Sequence, residues 1–182
     1  MLRIERMSVL PDDLITAFRG LYRESFEDMD RRAAARQSLT DEEFVEEMHH
    51  EAVEKWVAWT EDGQAAGLAF MTADLSLVPW ISIPYYANRF PEHYARNAIF
   101  YFGSLVVHPD HRGGPAARTL IAECCRYSAA AEAIIAFDCC EFNVDVVRLP
   151  EMIARISGRV AVVQPHELDA QRYYAYEMKE AG

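Results

Sequence analysis

Between Ala98 and Phe142 the chain passes through an apolar stretch, a glycine-bearing turn, an amphipathic stripe and a second apolar stretch, and no other segment narrows its fold as far. Ala98 to Val107 (AIFYFGSLVV) shows no polar alternation, which is the pattern of a strand buried on both faces. Pro115 to Ala131 puts Ala117, Leu120, Ile121, Cys124 and Ser128 on one stripe and turns Arg118, Glu123 and Arg126 away from it, predicting a helix with one buried face. Ile134 to Phe142 is apolar again and predicts another buried strand. A strand, a helix and a strand joined by short loops make a right-handed crossover between parallel or near-parallel strands. Such a unit requires a sheet covered by helices.

The flanking sequence supplies the rest of that sheet. Leu2 to Val9 suits a strand; Pro11, Asp12 and Asp13 start a helix with favourable first-turn charge, continued by Leu14, Phe18, Leu21 and Tyr22. Thr40 followed by Glu43 is a capping-box pattern that opens a second helix with Phe44, Val45 and Met48 as its stripe. Val53 to Thr60, a turn at 61–64, and Ala65 to Ala73 predict a hairpin. Leu77 to Asn97 has three prolines and many aromatics without a clean period, the composition of an irregular functional loop or lid, or of aromatic packing on the sheet edge. Val144 to Ser157 predicts a helix that Pro150 either begins or kinks and Gly158 closes, and Arg159 to Gln164 with Gln171 to Met178 predict two last strands. The expectation is an α/β (α+β) fold: a mixed sheet of about seven strands with helices on both faces.

Length and charge bound what this fold can serve. A chain of 182 residues fits one domain spanning 1–182. No apolar run approaches the roughly 20 residues that cross a bilayer, and Met1-Leu2-Arg3 leads into a mixed segment rather than a signal-peptide core, so the expectation is a cytoplasmic chain with no membrane partner. A net charge of -11 argues against nucleic acid, whose phosphates need a basic face, and favours a cationic substrate. The cysteines stand as adjacent pairs, Cys124-Cys125 and Cys139-Cys140, which is no zinc spacing and reads as small buried hydrophobes. His108 and His111 lack a third ligand at a metal spacing, so no metal is expected.

The turn inside the crossover carries the chemistry. In HRGGPAAR, Gly113 and Gly114 let the backbone approach a ligand, Arg112 and Arg118 add positive charge, and the following helix turns its positive end toward the loop. This is an anion site, or else a tight turn. The spacing lacks the Lys-Ser/Thr pair of a nucleotide P-loop, and no G-x-G-x-x-G follows the first strand, so neither nucleotide fingerprint applies. Pro115 removes one amide where the helix begins, but Gly113, Gly114, Ala116, Ala117 and Arg118 keep theirs. One net hydrogen bond of about 0.5–1.5 kcal/mol is forgone out of several.

With these residues in view, LVVHPDHRGGPAARTLI resembles the acyl-CoA-binding segment of the GNAT superfamily of N-acetyltransferases, in which a strand ends in V-x-P-x-x-R-G before a glycine-rich helix start. Val107, Pro109, Arg112, Gly113 and Ala117 carry the likeness, and Pro115 stands where the family has its first motif glycine. The resemblance implies a mostly antiparallel sheet with a splayed central strand pair. It implies acetyl-CoA as acyl-donor co-substrate, with its pantetheine arm on the backbone of Leu105, Val106 and Val107, its pyrophosphate on the loop from Arg112 to Arg118, and Asn143 facing it. It also implies direct attack by a primary amine of a small molecule or peptide acceptor, in a pocket walled by Trp80, Tyr85, Tyr86 and Tyr101. The family's strand glutamate is replaced by Tyr101, and its helix tyrosine is missing from 144–157. Asp138 and Glu141, at the apolar strand and its end, and Tyr173 near the C-terminus are then the candidate catalytic groups. The alternative is a non-catalytic module that binds CoA or another ligand, or a protein, and the two last strands offer a surface for a homodimer.

Overall fold

The computed structural model describes residues 2–180. One five-stranded sheet runs in the order β1 (Arg3–Met7), β2 (Val53–Trp59), β3 (Ala65–Thr72), β4 (Ile99–Val107), β5 (Ile134–Ala136). The first four strands are antiparallel neighbours and only β4 and β5 are parallel. Helices α1 (Asp12–Phe26) and α2 (Asp41–His49) follow β1; α3 (Ile83–Arg89) and α4 (Pro91–Ala95) precede β4; α5 (Ala116–Ala130) crosses over to β5; α6 (Glu141–Asp145) and α7 (Leu149–Ser157) follow. No helix among the described residues is long and apolar enough to cross a membrane.

The helices lie on both faces, as the periodicities require. Val53 and Val57 of β2, Leu68 and Phe70 of β3 and Val106 of β4 pack against Phe18, Tyr22, Phe44 and Met48 of α1 and α2. Trp56, Ala69, Met71 and Phe100, one position out of phase, meet Leu120 and Cys124 of α5 on the other side. The capping box of α2 is formed: Thr40 Oγ1 accepts from the Glu43 amide at 3.2 Å and a Glu43 oxygen accepts from the Thr40 amide at 2.8 Å. Cys124 and Cys125 are buried and burial pushes both thiols up, while Cys139 and Cys140 are half-buried.

Lys55 is the one fully buried cation among the described residues. It leaves β2 on the α1/α2 side, and its Nζ donates to the carbonyls of Ser8 at 2.6 Å and His50 at 2.7 Å, tying the end of α2 to the β1–α1 turn. Burial pulls its pKa down to about 8.

Three expectations are corrected. The segment 77–97 is not irregular throughout: Pro84 and Pro91 sit in the first turns of α3 and α4, where a missing amide costs the helix nothing. The predicted strand 134–142 stops at Ala136, because β4, its sole partner, turns away after Tyr101. The final strand pair, 159–164 and 171–178, is absent from the described residues, so the sheet has five strands instead of about seven. An alternating pattern shows that a segment fits a pleated surface, but pairing needs a neighbour, and β5 offers an edge of three residues. Tyr173, Tyr174, Tyr176 and Met178 are exposed there, and the two strands expected to carry a homodimer surface are absent from the described residues. Pro150 begins α7 at its second residue, after Arg148 has taken a left-handed turn with φ 58°.

Candidate active site

Strand β4 builds the site by losing a neighbour. Ile99, Phe100 and Tyr101 pair with Ile134, Ile135 and Ala136, and beyond that point β4 keeps β3 alone among the described strands. A bulge starts the divergence: Ser104 pairs with Phe70 and Phe102 with Met71, leaving Gly103 as the extra residue. A Cβ on Gly103 would stand 2.5 Å from the Phe70 ring, so only glycine lets that ring lie against the strand. The His108 amide donates to Ala66 of β3 at 2.9 Å. By alternation the Leu105 and Val107 backbone groups point the other way, into the opening left by β5. Val106 is buried toward α1.

The loop leaving β4 fits an anion. Pro109–His111 form a turn of 3-10 helix, Gly113 has φ 75° with open space where a Cβ would be, and α5 starts at Ala116. The Gly114 amide is spent on the His111 carbonyl at 3.2 Å. The amides of Ala116, Ala117 and Arg118 stand in the first turn, where helix geometry supplies no acceptor. Pro115 occupies the cap position, one residue before its expected place, and its carbonyl accepts from the Thr119 amide and hydroxyl, each at 2.9 Å. Arg112 reaches Ser25 at the end of α1 at 3.4 Å, and Arg118 is exposed beside the loop. Donors without acceptors, two guanidinium groups and an uncovered glycine suit a pyrophosphate.

Beside the bulge, three residues expected in the site come together. The Tyr101 hydroxyl donates to Asp138 Oδ1, and Trp80 Nε1 stands 3.2 Å from the Tyr101 oxygen and 3.3 Å from Asp138 Oδ1. Tyr101 is buried, and burial together with the Asp138 carboxylate lifts its pKa far above the usual phenol range. It is a neutral phenol whose proton faces Asp138. Asp138 itself stands beyond the end of β5 and is exposed, so the carboxylate buried inside an apolar strand is not found. Tyr86 packs into the same cluster as Tyr101, and its neighbour Tyr85 donates to the Leu168 carbonyl at 2.7 Å, holding the C-terminal segment against α3.

Other expected residues lie apart from this cluster. Glu141 is the exposed first residue of α6 rather than the end of a strand; Asn143 is half-buried on the same short helix. Tyr173 is 55% exposed in the segment without regular structure, because the strand expected to carry it does not form.

One carboxylate that the sequence does not single out is well placed. Glu47 of α2 lines a small recess of about 20 Å³, room for one water-sized group, with Phe70, Thr72, Trp80, Tyr101 and Gly103. Burial, reinforced by Glu43 and opposed by Lys55, raises its pKa to about 7. In sequence Glu47 is one of several acids on α2, and the only signal is its position between Phe44 and Met48 at the border of the apolar stripe.

Comparison with known proteins agrees with this geometry. The model of the acetyltransferase (GNAT) family matches residues 15–152. No curated protein sequence matches the chain. Among solved structures, AAC(6')-Iy in complex with the bisubstrate analogue CoA-S-monomethyl-acetylneamine is similar with a TM-score of 0.52 at 15% identity, covering 98% of this chain and 99% of that one. A ribosomal-protein-alanine N-acetyltransferase from Brucella melitensis biovar Abortus 2308 reaches 0.54 at 15% identity over 95% and 99%. The aminoglycoside 6'-N-acetyltransferase AAC(6')-Ih from Acinetobacter baumannii reaches 0.54 at 10% identity over 98% and 100%. At such identities the likeness is one of fold. The family match covers most of the chain, including the parted strand, the glycine-bearing loop and the helix after it, and the chain therefore belongs to the GNAT family of acetyltransferases, which draw their acyl group from acetyl-CoA.

Proposed function

We propose that the chain transfers the acetyl group of acetyl-CoA to a primary amine of a small molecule or peptide, by direct attack while both substrates are bound. The observation that carries this reading is the opening of β4 away from β5 immediately before a loop with unspent amides. Leu105 and Val107 present backbone groups for a pantetheine arm, and Gly113, Ala116, Ala117, Arg112 and Arg118 present donors and charge for the pyrophosphate. The amine nitrogen bonds to the thioester carbon, the C–S bond breaks, and the nitrogen gives up a proton as the sulfur leaves. The acceptor side is aromatic and acidic: Trp80, Tyr86 and Tyr101 form walls around Asp138, whose exposed negative charge draws a cationic acceptor toward the site. Relatives of fold named for aminoglycoside and for ribosomal-protein alanine acetylation support an amine acceptor of either kind.

Calorimetric titration with acetyl-CoA, followed by free-thiol release against a panel of amines, tests the proposal. Saturable binding and amine-dependent thiol release are expected, with Arg112→Ala weakening the binding. Absence of binding at millimolar acetyl-CoA would overturn it.

A further inference from the structure

The recess between α2 and β4 contains a carboxylate that donor binding does not use. Glu47 reaches it from α2, which is held by Phe44 and Met48 in the core, by its capping box, and by the Lys55 bridge at its last carbonyls. The opposite wall is Gly103 and Tyr101, the point at which β4 bulges and parts from β5. The same divergence that exposes β4 to an acyl donor thus brings its backbone up to the recess from the other side. Resting on the transfer reading above, we propose that this recess receives the acceptor's ammonium group and that Glu47 takes the proton which that nitrogen must lose before it attacks.

The surroundings suit that task, and among the described residues no other carboxylate lines the recess. Val53, Phe70, Leu77 and Val78 line the recess with hydrocarbon, so the Glu47 carboxylate is short of hydration and gains from accepting a proton. The charged and titratable groups facing it are Glu43 and Glu46 on α2, Lys55 on β2, Tyr22 on α1 and Tyr101 on β4. The two glutamates favour its protonated form; Lys55 opposes them but spends two of its protons on the Ser8 and His50 carbonyls. Tyr101 is no competing base, since its own proton is directed at Asp138. Asp138 does not line the recess, and its Oδ1 already faces two donors, Tyr101 and Trp80. The step balances: one N–H proton of the ammonium passes to the Glu47 carboxylate, the neutral amine forms the C–N bond, the C–S bond breaks, and the second proton that the nitrogen sheds as it becomes an amide passes through solvent to the departing thiolate. A base working near neutral pH needs a pKa near 7, and burial puts Glu47 there.

The test compares wild type, Glu47→Gln and Glu47→Asp by thiol release from acetyl-CoA with 1,5-diaminopentane, kanamycin and poly-lysine as probes, between pH 6 and 9. Expected is a fall in kcat of about 100-fold or more in Glu47→Gln, an unchanged KM for acetyl-CoA, partial recovery in Glu47→Asp, and loss of the acid limb centred near pH 7. A Glu47→Gln enzyme that keeps both its kcat and its acid limb overturns the proposal. Carbon-13 titration of the Glu47 carboxyl in the unliganded protein is independent of the acceptor. A midpoint near the ordinary value of 4.5 rather than about 7 overturns the proposal too. If no probe is acetylated while the carboxyl titrates near 7, the transfer reading fails and the raised carboxylate stands.

Discussion

The two halves of β4 are made of similar residues and live in different surroundings. Ile99 to Tyr101 are buried, with β5 pairing them on one side, whereas Leu105 to Val107 have β3 and an open flank. Both halves are apolar, so the difference lies in what the neighbours do: a bulge at Gly103 bends β4, and β5 ends after three residues. The closed half belongs to a core that resists change. The open half leaves backbone groups unpaired, which costs folding free energy unless water or a ligand meets them. On the proposed reading, stability and binding are divided along one strand, and substitutions should separate them.

The sharpest contrast comes from the packed side. Phe44→Ala removes a ring with no solvent exposure that meets Tyr22 at a tilt and Phe70 edge-on, and is expected to lower unfolding free energy by about 3–5 kcal/mol in a urea titration. Next in size is a pH effect at the recess. Glu47 has its pKa raised from 4.5 to about 7, so its stabilising contribution is complete below pH 4.5 and is lost as pH rises through 7. Glu47→Gln is therefore expected to be more stable than wild type above pH 7, on the order of 1–3 kcal/mol, with the gap closing toward pH 4.5. Lys55 acts in the alkaline range: its pKa is lowered from 10.5 to about 8, so a cost present below pH 8 is relieved as pH rises toward 10.5.

Tyr101→Phe, at the junction of the two halves, deletes the hydrogen bonds to Asp138 and Trp80 and is expected to cost about 1 kcal/mol by thermal unfolding. At the open end, Pro115→Gly restores an amide to the loop. It is expected to tighten acetyl-CoA binding about two- to tenfold by calorimetry, the equivalent of one hydrogen bond. The smallest effect is expected beyond α7, where Val162 is fully exposed: Val162→Ala should change stability by less than about 0.5 kcal/mol. A large loss there would mean that this segment packs more tightly in solution than β5's short edge suggests.

The same division governs how much the sequence could say. Burial of Ala98 to Val107, the stripe of α5 and the Thr40 capping box were legible because they depend on local period and on side chains a few residues apart. The tight turn and the helix start between Arg112 and Arg118 were legible for the same reason. The end of β5 was not, since Ile134 to Phe142 is apolar throughout and only the path of β4 decides where pairing stops. Trp80, Tyr101 and Asp138 could each be named, but their hydrogen bonds join residues far apart in the chain. Glu47 was hidden among neighbours of the same charge, because what distinguishes it is the apolar recess assembled by β2, β3 and the turn before α3.

The enclosure of Lys55 has a consequence for a protein that handles an activated thioester. The chain has 18 basic side chains, and all but Lys55 and Lys179 are arginines, which acetyl-CoA does not readily modify. Lys55 is the more nucleophilic of the two by chemistry, since its lowered pKa leaves more free amine near pH 8, yet it has no solvent exposure. Burial that raises the reactivity of this amine also denies it a reagent. Incubation with acetyl-CoA should therefore label the lysine near the C-terminus and leave the one in the core untouched, so the catalyst accumulates little damage from its own substrate.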